Sequence, residues 1–353
     1  MSVQPSSFES KLTHAWTGRD ALACALWPLS LLFGALAAGR RAMYAAGLLR
    51  VTRLPVPVIM VGNIFIGGTG KTPLTIWLVE AMREAGYRPG VISRGYGAHA
   101  ATVRPVTSSS SAAEVGDEPL LIARRTGVPL SVGRDRVAAA QALLAAHPEV
   151  NLIISDDGLQ HYPLARDIEI VLSDARGEGN GWLLPAGPLR EPVTRRRDFS
   201  VLNRQPAPGH SGITALDGVA ERLAPGHFGM ELRGGFAEQL IDRTRRVAFA
   251  ELPPGRILAA AGIGHPGRFF AQLRAAGLDF AELPLPDHFS YADNPFTDTA
   301  AELILITEKD AVKCAEHAGL KNDPRIWVIP VEARIDAALA QHILEKLRGY
   351  PPA

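Results

Sequence analysis

Cysteine is nearly missing from this chain. Its 353 residues hold two, Cys24 and Cys314, far apart and outside any metal-ligand spacing, so neither a disulfide framework nor a zinc site follows and a reducing compartment fits. Net charge is nearly missing as well: 37 Lys and Arg against 36 Asp and Glu leave a formal +1, which gives no global footprint for nucleic acid. No internal repeat is visible, which excludes a solenoid or propeller. Nor is there an Asn-Lys-x-Asp tetrad of the kind guanine recognition normally needs; Thr307-Glu308-Lys309-Asp310 has its lysine and aspartate adjacent. What remains, 47% hydrophobic and 21% charged residues, is the composition of a globular chain long enough for two domains.

The stretch Pro57-Val58-Ile59-Met60-Val61-Gly62-Asn63 runs into Ile64-Phe65-Ile66-Gly67-Gly68-Thr69-Gly70-Lys71-Thr72-Pro73. An apolar strand, a glycine-rich turn and a helix start make a phosphate cradle in that order. Gly67, Gly68, Thr69 and Gly70 let backbone N–H groups close around an anion, and the helix N-terminus adds its dipole. Lys71 supplies a point charge, and Thr72 offers a hydroxyl to Mg²⁺. The usual spacing has a glycine where this chain has Phe65, and the turn carries Gly67-Gly68 instead. Taken alone, the same residues also describe an ordinary glycine-rich βα turn.

Beyond the loop, helical and apolar runs alternate. Helices are expected over 73–85, 118–125 and 136–146, with strands at 91–93, 130–132, 151–155 and 168–172. Such alternation predicts a parallel, doubly wound sheet with ligands at the carboxyl ends of its strands. Ala98 to Ala113 is small and polar and reads as a loop. Residues 177–208 turn rich in Gly, Pro and Arg. Arg195-Arg196-Arg197 there reads as a solvated basic loop, whereas the Pro-rich turn around Arg190 would hold that side chain as a phosphate-facing arginine needs to be held. A second α/β unit begins near Gly235, with strands at 256–261, 303–306 and 326–329 and helices at 268–276 and 336–348. Its Gly262-Ile263-Gly264-His265-Pro266-Gly267 has the outline of a dinucleotide turn, but no acidic residue ends a following strand at the right distance, so tight βα packing is the expected cause.

The N-terminal segment is different in kind. Ala21 to Gly39 carries no charge for nineteen residues and Arg40-Arg41 follow; up to Arg53 there are six Lys and Arg against Glu9 and Asp20. A secretory signal would need a shorter polar leader. A spanning helix is barely long enough and is weakened by Pro28 and Gly34. A membrane-embedded or interfacial helix, with Trp27 and Phe33 on the apolar side and Arg40, Arg41, Arg50 and Arg53 facing anionic head groups, is the favoured reading. A buried core helix is the alternative.

Two further sets of residues bear chemistry. A carboxylate at the end of a neighbouring strand is required to complete a Mg²⁺ shell beside such a loop. Asp156 or Asp157, after Leu152-Ile153-Ile154-Ser155, stands in that place, with two capping aspartates of a turn as the plain alternative. Phosphoryl transfer to a hydroxyl also needs a group that takes its proton. Asp117 in Val115-Gly116-Asp117-Glu118-Pro119 and His288 in Pro286-Asp287-His288-Phe289 could act as one unit, an aspartate fixing the tautomer of a histidine. Singly, Asp117 also reads as a helix N-cap.

Taken together, Gly62-Asn63, Gly67-Gly68-Thr69-Gly70-Lys71-Thr72-Pro73, Ser93-Arg94-Gly95-Tyr96-Gly97, Gly116-Asp117-Glu118-Pro119, Asp156-Asp157-Gly158-Leu159-Gln160-His161, Pro185-Ala186-Gly187-Pro188-Leu189-Arg190-Glu191-Pro192, Asp287-His288-Phe289 and Thr307-Glu308-Lys309-Asp310-Ala311-Val312-Lys313 resemble the motifs of the tetraacyldisaccharide 4′-kinase family. They occur in order, from about residue 20 to 330. Phe65 belongs to that family's pattern. The resemblance implies transfer of the ATP γ-phosphate to the 4′-hydroxyl of a tetraacylated glucosamine disaccharide 1-phosphate, a lipid A precursor, at the cytoplasmic face of the bacterial inner membrane. It implies an α/β chain: a P-loop NTPase-like parallel-sheet domain and a smaller α/β/α domain joined by a β-linker, with a peripheral or monotopic N-terminal helix. The expected division is 1–50, 51–234 and 235–353. It supports Asp117 with His288 as the base and suggests that Arg190 offsets charge on the transferring phosphoryl. ATP and Mg²⁺ are the implied cofactors; an acylated disaccharide lipid and a membrane surface are the implied partners, with no nucleic acid and no obligate protein partner. The rivals are a nucleotide-driven switch GTPase, which the missing tetrad disfavours, and a P-loop ligase for a soluble carboxylate, which leaves 21–39 without a task.

Overall fold

The computed structural model describes residues 7–95, 102–107, 109–204 and 226–350. Tyr96 and Gly97 of the Ser93–Gly97 motif lie outside the described residues. In chain order come α1 (Ser7–Ala15), α2 (Ala21–Ala45), β1 (Val58–Gly62), α3 (Lys71–Glu84), β2 (Pro89–Ser93), β3 (Arg104–Val106), α4 (Ala112–Val115), α5 (Asp117–Thr126), β4 (Leu130–Val132), α6 (Arg136–Ala146), β5 (Leu152–Ser155), β6 (Ile168–Asp174), β7 (Phe199–Arg204) and β8 (His227–Arg233). The second unit follows with β9 (Phe236–Gln239), β10 (Arg246–Ala248), β11 (Ile257–Ala261), α7 (Pro266–Ala275), β12 (Ala281–Pro284), β13 (Leu303–Thr307), α8 (Glu308–Cys314), α9 (Ala318–Lys321), β14 (Ile326–Ile329), β15 (Glu332–Ile335) and α10 (Ala338–Lys346).

Nine strands form the larger sheet in the order β15-β8-β7-β6-β1-β5-β2-β4-β3. It is parallel from β8 to β4, with β3 and β15 antiparallel at the two edges. Strands β1, β2, β4 and β5 are buried at every position, as apolar runs covered on both faces must be. One face packs Ile59, Val61, Leu74, Leu78 and Ile154 against α3 and α5; the other packs Met60, Ile153, Leu143 and Leu159 under α6. Strand β1 lies between β5 and β6, so the turn after β1 opens at the carboxyl end of the sheet, beside the end of β5.

The smaller sheet, β10-β9-β14-β13-β11-β12, repeats this logic with its own two core layers, around Tyr291, Ile304 and Val328 on one side and Phe269, Phe270 and Trp327 on the other. The chain crosses between sheets twice. It leaves β8 through Gly234-Gly235 and returns from β14 into β15, which pairs antiparallel with β8 through Glu332↔Arg233 to Ile335↔Met230. A Cβ at Gly234 would stand 2.8 Å from the Pro330 carbonyl, so the two crossings run side by side only because that position is glycine. The crossing places β15 and α10 with the larger sheet, whereas the expected division kept 235–353 together.

Two local expectations change, and one alternative is removed. Within Ala98–Ala113 the described residues include the edge strand β3 and the start of α4 rather than loop alone. Arg195 is not solvated: its side chain is 8% exposed and held by Glu191 at 2.6 Å and Glu169 at 2.7 Å. Helix α2 continues through Pro28 to Ala45, although Pro28, eight residues in, removes one backbone bond. Only Ala23 and Ser30 of α2 are buried, so it is no core helix.

Candidate active site

The glycine-rich turn between β1 and α3 rests on two left-handed glycines, Gly67 at φ 108° and Gly70 at φ 97°. Gly70 caps α3, and a Cβ there would meet Asn203 Nδ2 at 2.7 Å. Asparagines tie the turn down. Asn63 Nδ2 donates to the Gly67 carbonyl (3.1 Å) and to Thr69 Oγ1 (3.2 Å), and Asn203 Nδ2 donates to the Thr69 carbonyl (2.8 Å). Lys71 Nζ donates to Asn63 Oδ1 at 3.4 Å. These bonds occupy the Gly67 and Thr69 carbonyls, and the backbone N–H groups at the start of α3 suit an anion.

The two neighbouring aspartates part company. Asp157 adopts φ 48°, and its Oδ1 stands 3.6 Å from Lys71 Nζ and 3.5 Å from Arg190 Nη1. Burial would raise its pKa, but Lys71, Arg190 and Arg136 together hold it below the ordinary carboxylate value. Asp156 turns inward, accepting from Thr75 Oγ1 at 3.2 Å and, more weakly, from Ser93 Oγ at 3.5 Å. Burial above all, with the nearby Glu118 carboxylate adding and Lys71 opposing, pushes Asp156 up to about 7. Thr72 lies one turn before Thr75 on α3 and so shares its face. A threonine hydroxyl and a buried carboxylate that resists ionising without a cation make an all-oxygen donor set suited to a hard divalent ion. Among the described residues no group of three or more His, Cys, Asp or Glu could hold a metal ion.

Gly116 rather than Asp117 occupies the N-cap of α5, and Asp117 Oδ1 accepts the Glu118 N–H in the first turn at 2.9 Å while its other oxygen faces the second unit. Asp117, 4% exposed, accepts from or shares a proton with His288: Oδ2 and Nδ1 are 2.9 Å apart, spanning 171 positions of chain. His288 holds a left-handed φ of 59°, its backbone N–H donating to the Gly262 carbonyl at 3.2 Å. The hydrogen bond to Asp117 raises the His288 pKa above its ordinary value, against burial and the Lys309 charge. Asp117 itself is pushed up by burial, but His288, Lys309 and Lys313 outweigh this and lower it.

The residues around this pair were not assigned from sequence. Lys309 Nζ lies 3.9 Å from Asp117, 3.2 Å from Glu118 and 3.6 Å from Asp287, and Lys313 Nζ is 3.6 Å from Asp117. Acidic neighbours led by Glu118 keep Lys309 charged well above the usual range despite burial. The signal was present: Lys309 and Lys313 are spaced by four at the start of a helix that follows a buried strand, hence on one face. Their target, however, lies on α5, a helix of the first unit. His161, ending the Asp156–His161 motif, is pushed down to about 4 by burial and by Arg136 and stays neutral.

Lys71, Thr72 and the two aspartates at the end of β5, together with an Asp–His pair that joins α5 to the second unit, are the kinds of group that transfer from a nucleotide to a hydroxyl requires. The family model for tetraacyldisaccharide-1-P 4′-kinase matches residues 22–348. The chain belongs to the tetraacyldisaccharide 4′-kinase family. Curated relatives carry that name: the protein of Janthinobacterium sp. (strain Marseille) is 59% identical, and that of Herminiimonas arsenicoxydans is 58% identical, each over 99% of both chains. The one from Azoarcus sp. (strain BH72) is 49% identical over 96% of both. In fold the chain resembles the "apo" form LpxK of Aquifex aeolicus crystallised in complex with ATP, with a TM-score of 0.74 and 29% identity over 92% of this chain and 99% of that one. As a tetraacyldisaccharide 4′-kinase the chain is an ATP-dependent phosphotransferase that acts on the 4′-hydroxyl of a tetraacyl disaccharide 1-phosphate, a step of lipid A biosynthesis.

Proposed function

We propose that the crevice between the two sheets is the transfer site and that its two walls divide the work. Lys71 and the backbone of Gly67–Thr72 bind the ATP phosphates, and Arg190 offsets charge on the group in flight. Thr72 and Asp156 would hold Mg²⁺, which when bound supplies charge neutralisation at the phosphate oxygens. Asp157, already engaged by Lys71 and Arg190, keeps those two cations oriented. Asp117 and His288 take the proton of the 4′-hydroxyl as it attacks phosphorus. The observation that carries this reading is the 2.9 Å Asp117–His288 contact between the two halves of the chain. Lys309 and Lys313 keep Asp117 ionised, and so a proton acceptor.

The membrane side of the reading rests on α2. It is 25 residues long with mean hydropathy 2.0 in its most apolar window, of which 11% is buried. One face lies along the 180–191 loop: Ser30 Oγ donates to the Leu183 carbonyl at 2.7 Å, and Trp27 packs on Trp182 with ring centroids 6.1 Å apart. The opposite face leaves Leu32 at 58% and Leu36 at 66% exposure. A helix packed along one side on its own protein and apolar on the other suits the plane of a bilayer rather than a crossing of it. It would hold the crevice where an acylated acceptor is dissolved, at the cytoplasmic face where ATP is present.

The test is direct. Labelled γ-phosphate should appear on the disaccharide lipid presented in micelles or membranes; ATP hydrolysis without acceptor labelling would overturn the reading. Asp117→Ala and His288→Ala should each lower turnover and leave ATP binding largely intact.

A further inference from the structure

The turn Gly262–Gly267 has so far been only a packing element, and the structure places it against both walls of the crevice. At one end the Gly262 carbonyl accepts from the backbone N–H of His288 at 3.2 Å, and the Gly262 N–H donates to Asp310 Oδ2 at 3.0 Å. At the other end His265 Nε2 is 2.6 Å from Nη1 of Arg176, a residue that follows β6 in the first unit. Arg176 reaches onward: its Nη2 donates to the Gly68 carbonyl of the phosphate loop at 3.1 Å, and its guanidinium lies 4.6 Å from the centroid of Phe65. The same group stands 3.0 Å from where a Cβ on Gly67 would be.

The arginine is well held. Asp174, 4% exposed, accepts from Arg176 Nε at 3.0 Å and Nη2 at 2.7 Å, and also from Arg268 Nη2 on α7 of the second unit at 2.7 Å. Burial pushes the Asp174 carboxyl up, but the hydrogen bonds from Arg176 and Arg268 outweigh it and hold the group ionised. A fixed, planar guanidinium with donors in a rigid fork can satisfy a carboxylate, a backbone carbonyl and an imidazole at once, which a lysine cannot. Burial and the charge of Arg176 lower the His265 pKa, so the imidazole is neutral and its Nε2 can accept.

From this we infer that Arg176 and His265 form a cross-domain latch, two positioning residues that lock the phosphate loop to the turn on which His288 is hung. Neither needs to touch substrate. The latch sets the distance between the transferring phosphate and the Asp117–His288 pair, by joining Gly68 through Arg176 to His265, three residues along the same turn from the Gly262 carbonyl that holds His288. It also gives Phe65 a physical role, since an aromatic face at that position supports the guanidinium. The inference rests on the transfer site proposed above.

The test uses the full-length enzyme with labelled ATP and the lipid acceptor, measuring kcat and both KM values. His265→Leu, which removes the acceptor, should lower kcat by about tenfold or more, in the range expected for sub-ångström misplacement of reacting groups, with little change in acceptor KM. His265→Gln, whose carbonyl oxygen can still accept from Arg176, should recover most of the loss. Arg176→Lys should behave like His265→Leu, and the double variant Arg176→Lys/His265→Leu should be no worse than either single, because both break one link. The latch is refuted if Gln and Leu at 265 are equally impaired or equally active, or if the two losses multiply. The thermal midpoint of each variant separates a folding defect from a positioning one. Asp117→Ala separates failure of the latch from failure of the site: an inactive Asp117→Ala beside a normal His265→Leu sinks the latch alone.

Discussion

The two walls of the proposed transfer site are built by opposite means. The donor wall is a single turn of chain, Asn63 to Thr72, whose shape comes from two left-handed glycines and hydrogen bonds made largely within itself. The acceptor wall joins Asp117 and His288 across 171 positions and is held by lysines that come from a third place in the chain, α8. A locally built wall survives small movements of the domains, whereas a wall assembled from two sheets depends on how they close.

The sharpest way to break that comparison is to remove one group from each side. Lys71→Ala should lose ATP affinity and transfer together. His288→Ala should bind ATP normally and lose roughly 10²- to 10⁴-fold in kcat, the range of a general base. Equilibrium nucleotide binding beside single-turnover transfer checks both, and an unchanged kcat in His288→Ala would remove the acceptor wall from the chemistry.

Asp156→Asn should abolish turnover and yet stabilise the nucleotide-free protein. The folded Asp156 has its pKa at about 7 against an ordinary 3.8, so the native state keeps a proton that the unfolded chain releases between those values. Stability then falls as pH rises through that window, by a few kcal/mol on the scale of about 1.4 kcal/mol per pKa unit. The asparagine removes this slope. Melting curves at pH 8 should therefore favour the variant, and curves below pH 4 should not distinguish them.

A smaller effect sharpens the acceptor wall. The His288 pKa is raised first by its hydrogen bond to Asp117 and further by the Asp287 charge. The pair must be able to accept a proton, so kcat/KM should fall as pH drops through a value above that of an ordinary histidine. Asp287→Asn should move that acid limb to lower pH by a fraction of a unit and leave the ATP KM unchanged. A limb that stays in place would take Asp287 out of the electrostatics of the pair.

A separate effect lies outside the transfer site. Leu32→Gln with Leu36→Gln on the exposed face of α2 should weaken sedimentation with lipid vesicles by a few kcal/mol at most, at about 1.5–3 kcal/mol per buried leucine, and leave the thermal midpoint nearly unchanged.

How much was readable in advance followed the same division. The phosphate loop, helices α3, α5 and α6, and strands β1, β2, β4, β5, β11, β13 and β14 show in local pattern, because each is an apolar run or a face of helical spacing beside a recognisable turn. Strands β7 to β10, β12 and β15 did not. Several are short and half exposed, such as Arg246–Ala248 and Ala281–Pro284, and strand signals weaken when one face meets solvent. Arg195 looked solvated because its neighbours are basic; Glu191 is only four residues away, but Glu169, on β6, is brought to it by the fold.

By itself the sequence determined the donor wall, since glycines of positive φ, a lysine and a helix start are chemistry carried by consecutive residues. It also set the apolar N-terminal helix, since length and lack of charge need no partner to be read, and the motifs together marked the family. Only the tertiary structure decided which of two adjacent aspartates stays ionised, that Lys309 and Lys313 guard Asp117, and that a glycine turn in the second unit hangs His288 at one end and meets Arg176 at the other. Those outcomes depend on burial and on charges brought close from distant positions, and neither is a property of any stretch of chain taken alone.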